Sequence, residues 1–472
     1  MLISVAILHS PRAYIQPGFQ RSSLTLARKL VASLGASFSG LKAVKSLSGD
    51  INFVVNGLSY GNNGSAYNAA LASKPKSQGQ LYGSNFVRHW NYYIAQERYS
   101  VFSGSLASKG NGSYSFNGEM KNLLSGMNYT ITRPESPVQG SSSDPGDYDL
   151  SPDGSKVAFR TKAPELPKAN YTASYIYVVP HNGSSVAVAV NGPGSSAPGN
   201  AKGASGYPVW SHDSSKIAYG QQDGIDYESD RYKLYVADIK GLAAEVNGVA
   251  QDWDSSPSGV SWSPDDADLW VTSELHASTR LWLVPHNAEA TFKPVNFTGP
   301  DTVLSDFAIL PDGSAFVSAA SSWSSRIFYK QYPGQDKTIL FTANEVDPEL
   351  KGLGPQDVSS FWILNEEGYG LSPNAVIGRL ANVRVEVQTF VFYPTGFNPN
   401  RTYPLAFIIH GGPQSTQGDN WSVRWNLRLW ADQGFIVTAT QFTGSPSYSQ
   451  EFTDKVCTIL WLVSLVAYSS IS

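Results

Sequence analysis

The chain has 472 residues, a formal net charge of −4 and a pI near 6.0. Charged residues make up only 15% and no long basic run occurs, so neither nucleic acid nor a membrane surface is expected as the main partner. Aromatic residues reach 12% beside abundant Gly, Ser and Asn, a mix that suits an all-β, turn-rich, extracellular chain.

In chain order, residues 1–36 form an atypical N-terminal segment. Its first eight residues are apolar but lack a basic flank, so they make a weak signal peptide. Strand-like runs follow at 51–55 and 99–102, and Gly/Ser-rich stretches at 141–146 and 192–203 read as exposed loops. A loose repeat then appears. Ser151-Pro152-Asp153-Gly154 recurs as Ser211-His212-Asp213-Ser214, Ser263-Pro264-Asp265 and Leu310-Pro311-Asp312-Gly313. The starts, at 151, 211, 263 and 310, are separated by 60, 52 and 47 residues. Each turn is followed by an apolar strand and then a second one, at 176–179, 234–236, 281–284 and 327–329. Tight turns leading into paired strands at this period are the signature of propeller blades. A β-sandwich array with common turns is the competing reading. The propeller is expected over residues 37–355, and it is incomplete.

Beyond residue 355 the pattern changes. Residues 390–394 and 403–409 read as strands, the second as a buried parallel one, and 434–440 as another. Between them, residues 421–433 read as an amphipathic helix with Trp425, Leu429 and Trp430 on one face. Strand, loop, helix, strand is the opening of an α/β sheet. The loop carries His410-Gly411-Gly412-Pro413, and a His-Gly-Gly turn at the end of such a strand is the oxyanion-hole loop of many α/β-hydrolases. Its glycines let the backbone turn tightly and aim N–H groups at a developing oxyanion. The 59 residues after Pro413 contain no Gly-x-Ser-x-Gly. The start of a hydrolase domain is therefore expected at 356–455, incomplete, with an apolar tail at 456–472. That tail is too short for the ~20 residues of a membrane span.

Other motifs carry less. Gly57-Leu58-Ser59-Tyr60-Gly61 matches a nucleophile elbow formally, but loop sequence follows it where a helix is required. His181 and His286 hold equivalent places in Val-Pro-His-Asn and read as blade-turn residues, and His89 reads as a propeller contact or a pocket residue. Glu366-Glu367 reads as a solvated turn. The histidines lack metal-ligand spacing and Cys457 is the lone cysteine, so no disulfide, metal or cofactor is expected. Sequons stand at Asn63, Asn111, Asn128, Asn170, Asn182, Asn296, Asn400 and Asn420, which favours a glycosylated, secreted protein.

The segment Asn170-Tyr171-Thr172-Ala173, the turn Val179-Pro180-His181, residues 347–355 and the block 403–443 with its His-Gly-Gly-Pro-Gln resemble the dipeptidyl-peptidase V group of the prolyl-oligopeptidase family. The resemblance covers roughly residues 35–455. It implies a β-propeller capping an α/β-hydrolase domain, in a secreted serine exopeptidase that removes dipeptides from free N-termini of peptides. Two departures accompany it. The family usually keeps glycines where Ser447 and Ser449 stand, and the family's serine, aspartate and histidine match no position of these 472 residues. Only the oxyanion-loop region, His410, Gly411 and Gly412, carries over. The expectation is thus an enzyme by family that is inactive as written. The alternative is a propeller that binds peptides without catalysis.

Overall fold

A computed structural model describes residues 2–6, 28–60, 64–68, 97–127, 145–193, 203–299, 303–365 and 385–456, with gaps of one to three residues inside these ranges and short pieces between 79 and 93. Two compact units divide the chain. The first comprises Met1–Glu228, Leu234–Gly248 and Pro264–Asp266; the second comprises Ser229–Lys233, Val249–Ser263 and Ala267–Ser472.

In the first unit, Leu2–Ala6 pairs antiparallel with Arg28–Ser33. A five-stranded sheet follows, built on Phe38–Lys45, Ile51–Ser59 and Arg98–Ser108. Two four-stranded meanders come next. One runs Tyr148–Leu150, Lys156–Lys162, Ser174–Pro180, Val188–Ala189; the other Ser205–Trp210, Lys216–Gln221, Lys233–Lys240, Ala243–Val249. Each expected repeat turn lies between the first and second strands of a meander. The alternating apolar residues bury one layer, with Val157, Phe159 and Val179 fully enclosed. Phase is kept down to single side chains. Phe159 stacks on its cross-strand partner Tyr177 at 5.7 Å, and Tyr219 stacks on Tyr235 at 5.6 Å.

The turns explain the repeat. Ser151 Oγ donates to Asp153 Oδ1 (2.6 Å), Ser155 N–H to the same oxygen (2.9 Å), and Lys156 N–H to Ser151 Oγ (2.9 Å). Ser211, Asp213, Ser215 and Lys216 reproduce this network at 2.6, 2.9 and 2.9 Å. The fourth turn residue is left-handed in every copy: Gly154 (φ 73°), Ser214 (φ 62°), Asp266 (φ 58°) and Gly313 (φ 77°). Glycine adopts that conformation freely, whereas Ser and Asp are strained in it by roughly 1 kcal/mol or more. Their side chains offset the strain by capping the preceding turn. Ser214 Oγ accepts from Asp153 N–H (3.1 Å), and Asp266 accepts from His212 N–H (2.9 Å) and Asp213 N–H (3.0 Å).

In the second unit two more meanders appear. One runs Pro257–Trp262, Asp268–Leu275, Ser278–Pro285, Val295–Asn296; the other Val303–Ile309, Ala315–Ser321, Ser324–Gln331, Thr338–Thr342. A mixed sheet then takes over in the order Val358–Asn365, Val385–Phe392, Ile436–Thr440, Leu405–Ile408. Its last pair is parallel and the others antiparallel. Phe392, Val437, Ala439, Leu427 and Ala431 form its core.

Two expectations need correction here. The strand within 403–409 is parallel but not buried: it is the last strand of the described sheet, and Leu405, Phe407 and Ile409 are exposed. The helix within 421–433 is a single turn and a half, Leu427–Ala431. It starts there because Asn426 Oδ1 caps Arg428 N–H (2.9 Å), and Gly434 (φ 95°) turns the chain soon after. Its buried face is Leu427, Arg428 and Ala431, so Trp425, Leu429 and Trp430 face outward. Periodicity misled because the most enclosed side chain is a charged one. The guanidinium of Arg428 forms ion pairs with Asp357 (3.0 Å) and Asp432 (3.2 Å) and donates to Thr395 Oγ1 (2.6 Å), so its buried charge is offset by two carboxylates.

Candidate functional site

The segment His410-Gly411-Gly412, where the sequence leads to the expectation of an oxyanion loop, follows directly from the parallel strand Leu405–Ile408. Gly412 has φ 135°, and a Cβ there would lie 2.6 Å from Gln414 N, so only glycine fits. Gly411 is exposed, and a Cβ on it would meet nothing within 4 Å. The His410 ring stacks on Phe442 (4.2 Å between centroids, 16°). Its Nε2 lies 3.0 Å from Ser445 Oγ, and its Nδ1 lies 3.0 Å from the Gly411 carbonyl. Gln441 ties the far side of the loop to the neighbouring strand: its Oε1 accepts from Gln417 N–H (3.2 Å) and its Nε2 donates to the Gln417 carbonyl (2.7 Å).

Ser445 is no nucleophile despite its imidazole neighbour. It is fully buried and its hydroxyl donates to the Phe442 carbonyl at 2.7 Å. The Gly57–Gly61 match fails as well. Ser59 ends the strand Ile51–Ser59, fully buried, with its hydroxyl 3.2 Å from that of Ser100.

Sequence reasoning missed a second cluster, reached through Ser447. Residues Glu274, His276 and Ala277 belong to the hairpin between Asp268–Leu275 and Ser278–Pro285, whose two turn residues are both left-handed: His276 (φ 54°) and Ala277 (φ 56°). A two-residue turn of this kind normally takes Asn-Gly or Gly-Gly. Here the Ser447 carbonyl accepts from His276 N–H (3.0 Å) and Ser447 Oγ accepts from Ala277 N–H (2.8 Å). Ser447 is itself left-handed (φ 75°), a conformation that favours glycine. The His276 ring packs edge-on to Trp362 (5.0 Å) and face-on to Tyr448 (5.6 Å), and Tyr448 donates its hydroxyl proton to Gln388 Oε1 (2.7 Å). Burial, helped by the Arg280 charge, holds the His276 imidazole below its ordinary pKa. Burial raises the Glu274 carboxyl against the opposing hydrogen bond from Thr416, and raises the Tyr448 hydroxyl, helped by Glu274.

Remaining candidates fall as follows. Asn170, Asn182, Asn296 and Asn400 are exposed and Asn420 is half-buried; Asn63, Asn111 and Asn128 lie outside the described residues, as do Pro413 and Glu366-Glu367. His181 and His286 both follow the last proline of a blade strand, as their matching motifs require, yet His181 is buried and His286 is not. The side chain of His89 is outside the described residues. Among the described residues no group of three or more His, Cys, Asp and Glu is placed to hold a metal, and no helix is long and apolar enough to cross a membrane.

No family model matches the chain. It is 45% identical over 463 residues to a dipeptidyl-peptidase 5 of Aspergillus fumigatus, covering 96% of this chain and 60% of that protein. A probable dipeptidyl-peptidase 5 of Arthroderma benhamiae is 43% identical over 426 residues, covering 90% and 55%. The chain therefore spans 55–60% of the length of these curated relatives. Among solved structures, a Pyrococcus horikoshii acylaminoacyl peptidase aligns with a TM-score of 0.58 at 13% identity, covering 92% of this chain and 55% of that one. An acylaminoacyl peptidase in complex with Z-Gly-Gly-Phe-chloromethyl ketone aligns equally well. At that identity the likeness speaks to fold alone: propeller blades followed by the opening strands of an α/β-hydrolase.

Proposed function

We propose, for a chain homologous to the dipeptidyl-peptidase 5 proteins, that these residues carry the peptide-recognising propeller and the oxyanion loop of a serine-type dipeptidyl exopeptidase. The similarity at 45% identity over nearly the whole chain is the observation that carries the reading. The loop supports it: glycines at 411 and 412 leave backbone N–H groups free of any Cβ, as stabilisation of a tetrahedral oxyanion demands. The division at residue 355 and the oxyanion role of His410, Gly411 and Gly412 belong to the same proposal, as do secretion and glycosylation at the exposed sequons.

Taken on their own, the 472 residues do not hydrolyse peptides. Ser445, which pairs with an imidazole, is sealed from substrate, and no Gly-x-Ser-x-Gly follows the loop in this sequence. An oxyanion loop without nucleophile and base retains only the small residual rate that positioning gives. The test is release of a chromophore from a dipeptidyl-p-nitroanilide by the purified chain. Turnover that a serine-directed inhibitor abolishes overturns the inactivity, whereas failure to bind any peptide with a free N-terminus overturns the recognition role. The A. fumigatus relative, assayed alongside, supplies the positive control.

A further inference from the structure

The hairpin at His276-Ala277 holds two non-glycine residues in the left-handed region, each strained by roughly 1 kcal/mol or more. Strain of this kind persists only where its surroundings over-determine it, and here Ser447 does so with two hydrogen bonds. The strained turn places the imidazole of His276 against Trp362 and Tyr448. The ring nitrogens of His276 make no hydrogen bond among the described residues, although the ring is half-buried. Trp362 is 42% exposed on the strand Val358–Asn365, with Phe361 and Ile363 exposed beside it. A core aromatic cluster would enclose its indole. This one leaves it open.

We propose that Trp362, His276 and Tyr448 form a subsite for a flat, uncharged side chain of a peptide, an aromatic ring above all, with the His276 imidazole as the hydrogen-bonding group at its edge. An aromatic guest gains both area burial and ring-on-ring geometry on an exposed indole. Charge is disfavoured there from both sides. Burial works against the charged forms of His276 and Glu274, and the buried Arg280 already opposes a positive charge on His276. Glu274 and Arg280 stand on opposite faces of the hairpin, since Glu274 pairs across the strands with Thr279 and Arg280 with Ser273. Ser447 is a positioning residue: it touches no guest and fixes the turn that aims His276.

The inference rests on the peptide-recognition reading, and calorimetric titration of the full 472-residue chain tests both. The probes are Gly-Phe-Gly-amide, Gly-Ala-Gly-amide and Gly-Lys-Gly-amide. The Phe peptide is expected to bind about tenfold more tightly than the Ala peptide, with the Lys peptide weakest. Trp362→Ala should erase that preference, and Trp362→Phe should keep most of it. Ser447→Gly, which removes the Oγ acceptor without adding strain, should reduce the Phe preference with the circular dichroism spectrum intact. A preference that survives Trp362→Ala, or a Lys peptide binding as tightly as the Phe peptide, overturns the subsite alone. If none of the three peptides binds, the recognition reading falls and takes the subsite with it.

Discussion

The buried hydroxyl of Ser445 lies 3.0 Å from Nε2 of His410, which joins the His-Gly-Gly loop to the segment after the neighbouring strand. Truncation to Ser445→Ala leaves the imidazole nitrogen and the Phe442 carbonyl without that partner. A loss of about 1 kcal/mol in urea unfolding is expected, together with a displaced His410 imidazole signal in proton NMR. An unmoved imidazole signal would mean that the stack on Phe442 alone holds the ring.

Asp266 separates strain from capping. Asp266→Ala keeps a left-handed non-glycine residue and discards the acceptors for His212 and Asp213 N–H. Asp266→Gly discards the same acceptors but relieves the strain. Both variants should be less stable than the parent, the alanine by about 2 kcal/mol and the glycine by about 1 kcal/mol less than that. Denaturant midpoints for the pair settle it. Equal losses would show that the left-handed turn stores no strain.

His181 gives the fold a pH dependence. Its ring is 6% exposed and its Nε2 lies 3.2 Å from the Phe53 carbonyl. Burial lowers its pKa, outweighing the hydrogen bonds to the Phe53 and Gly104 carbonyls that raise it. The unfolded chain, with an ordinary value of about 6.5, therefore takes up the proton first as pH falls. The stabilising contribution is complete above about pH 6.5 and is lost as pH drops toward the folded value. Urea midpoints should decline from pH 7.5 to pH 5, and His181→Gln should flatten that decline. A slope that the substitution leaves unchanged assigns the effect to other groups.

Local chemistry made the repeated blades legible. A Ser/Asp turn makes its defining hydrogen bonds within a few residues, so Ser151-Pro152-Asp153-Gly154 and its copies announced their meanders, and strand alternation announced which residues face the core. The His-Gly-Gly loop was legible for the same reason, since the φ of Gly412 is a property of the backbone at one residue. Contacts between distant segments were not. Trp425 and Leu429 carry a helical period yet face outward, because Arg428 found Asp357, 71 positions earlier (428 − 357), and took the buried place. Ser447 in the sequence was only a place where the resemblance led to the expectation of glycine. Only the tertiary structure set it against His276 and Ala277, where its two oxygens hold a strained turn that no local pattern could have announced.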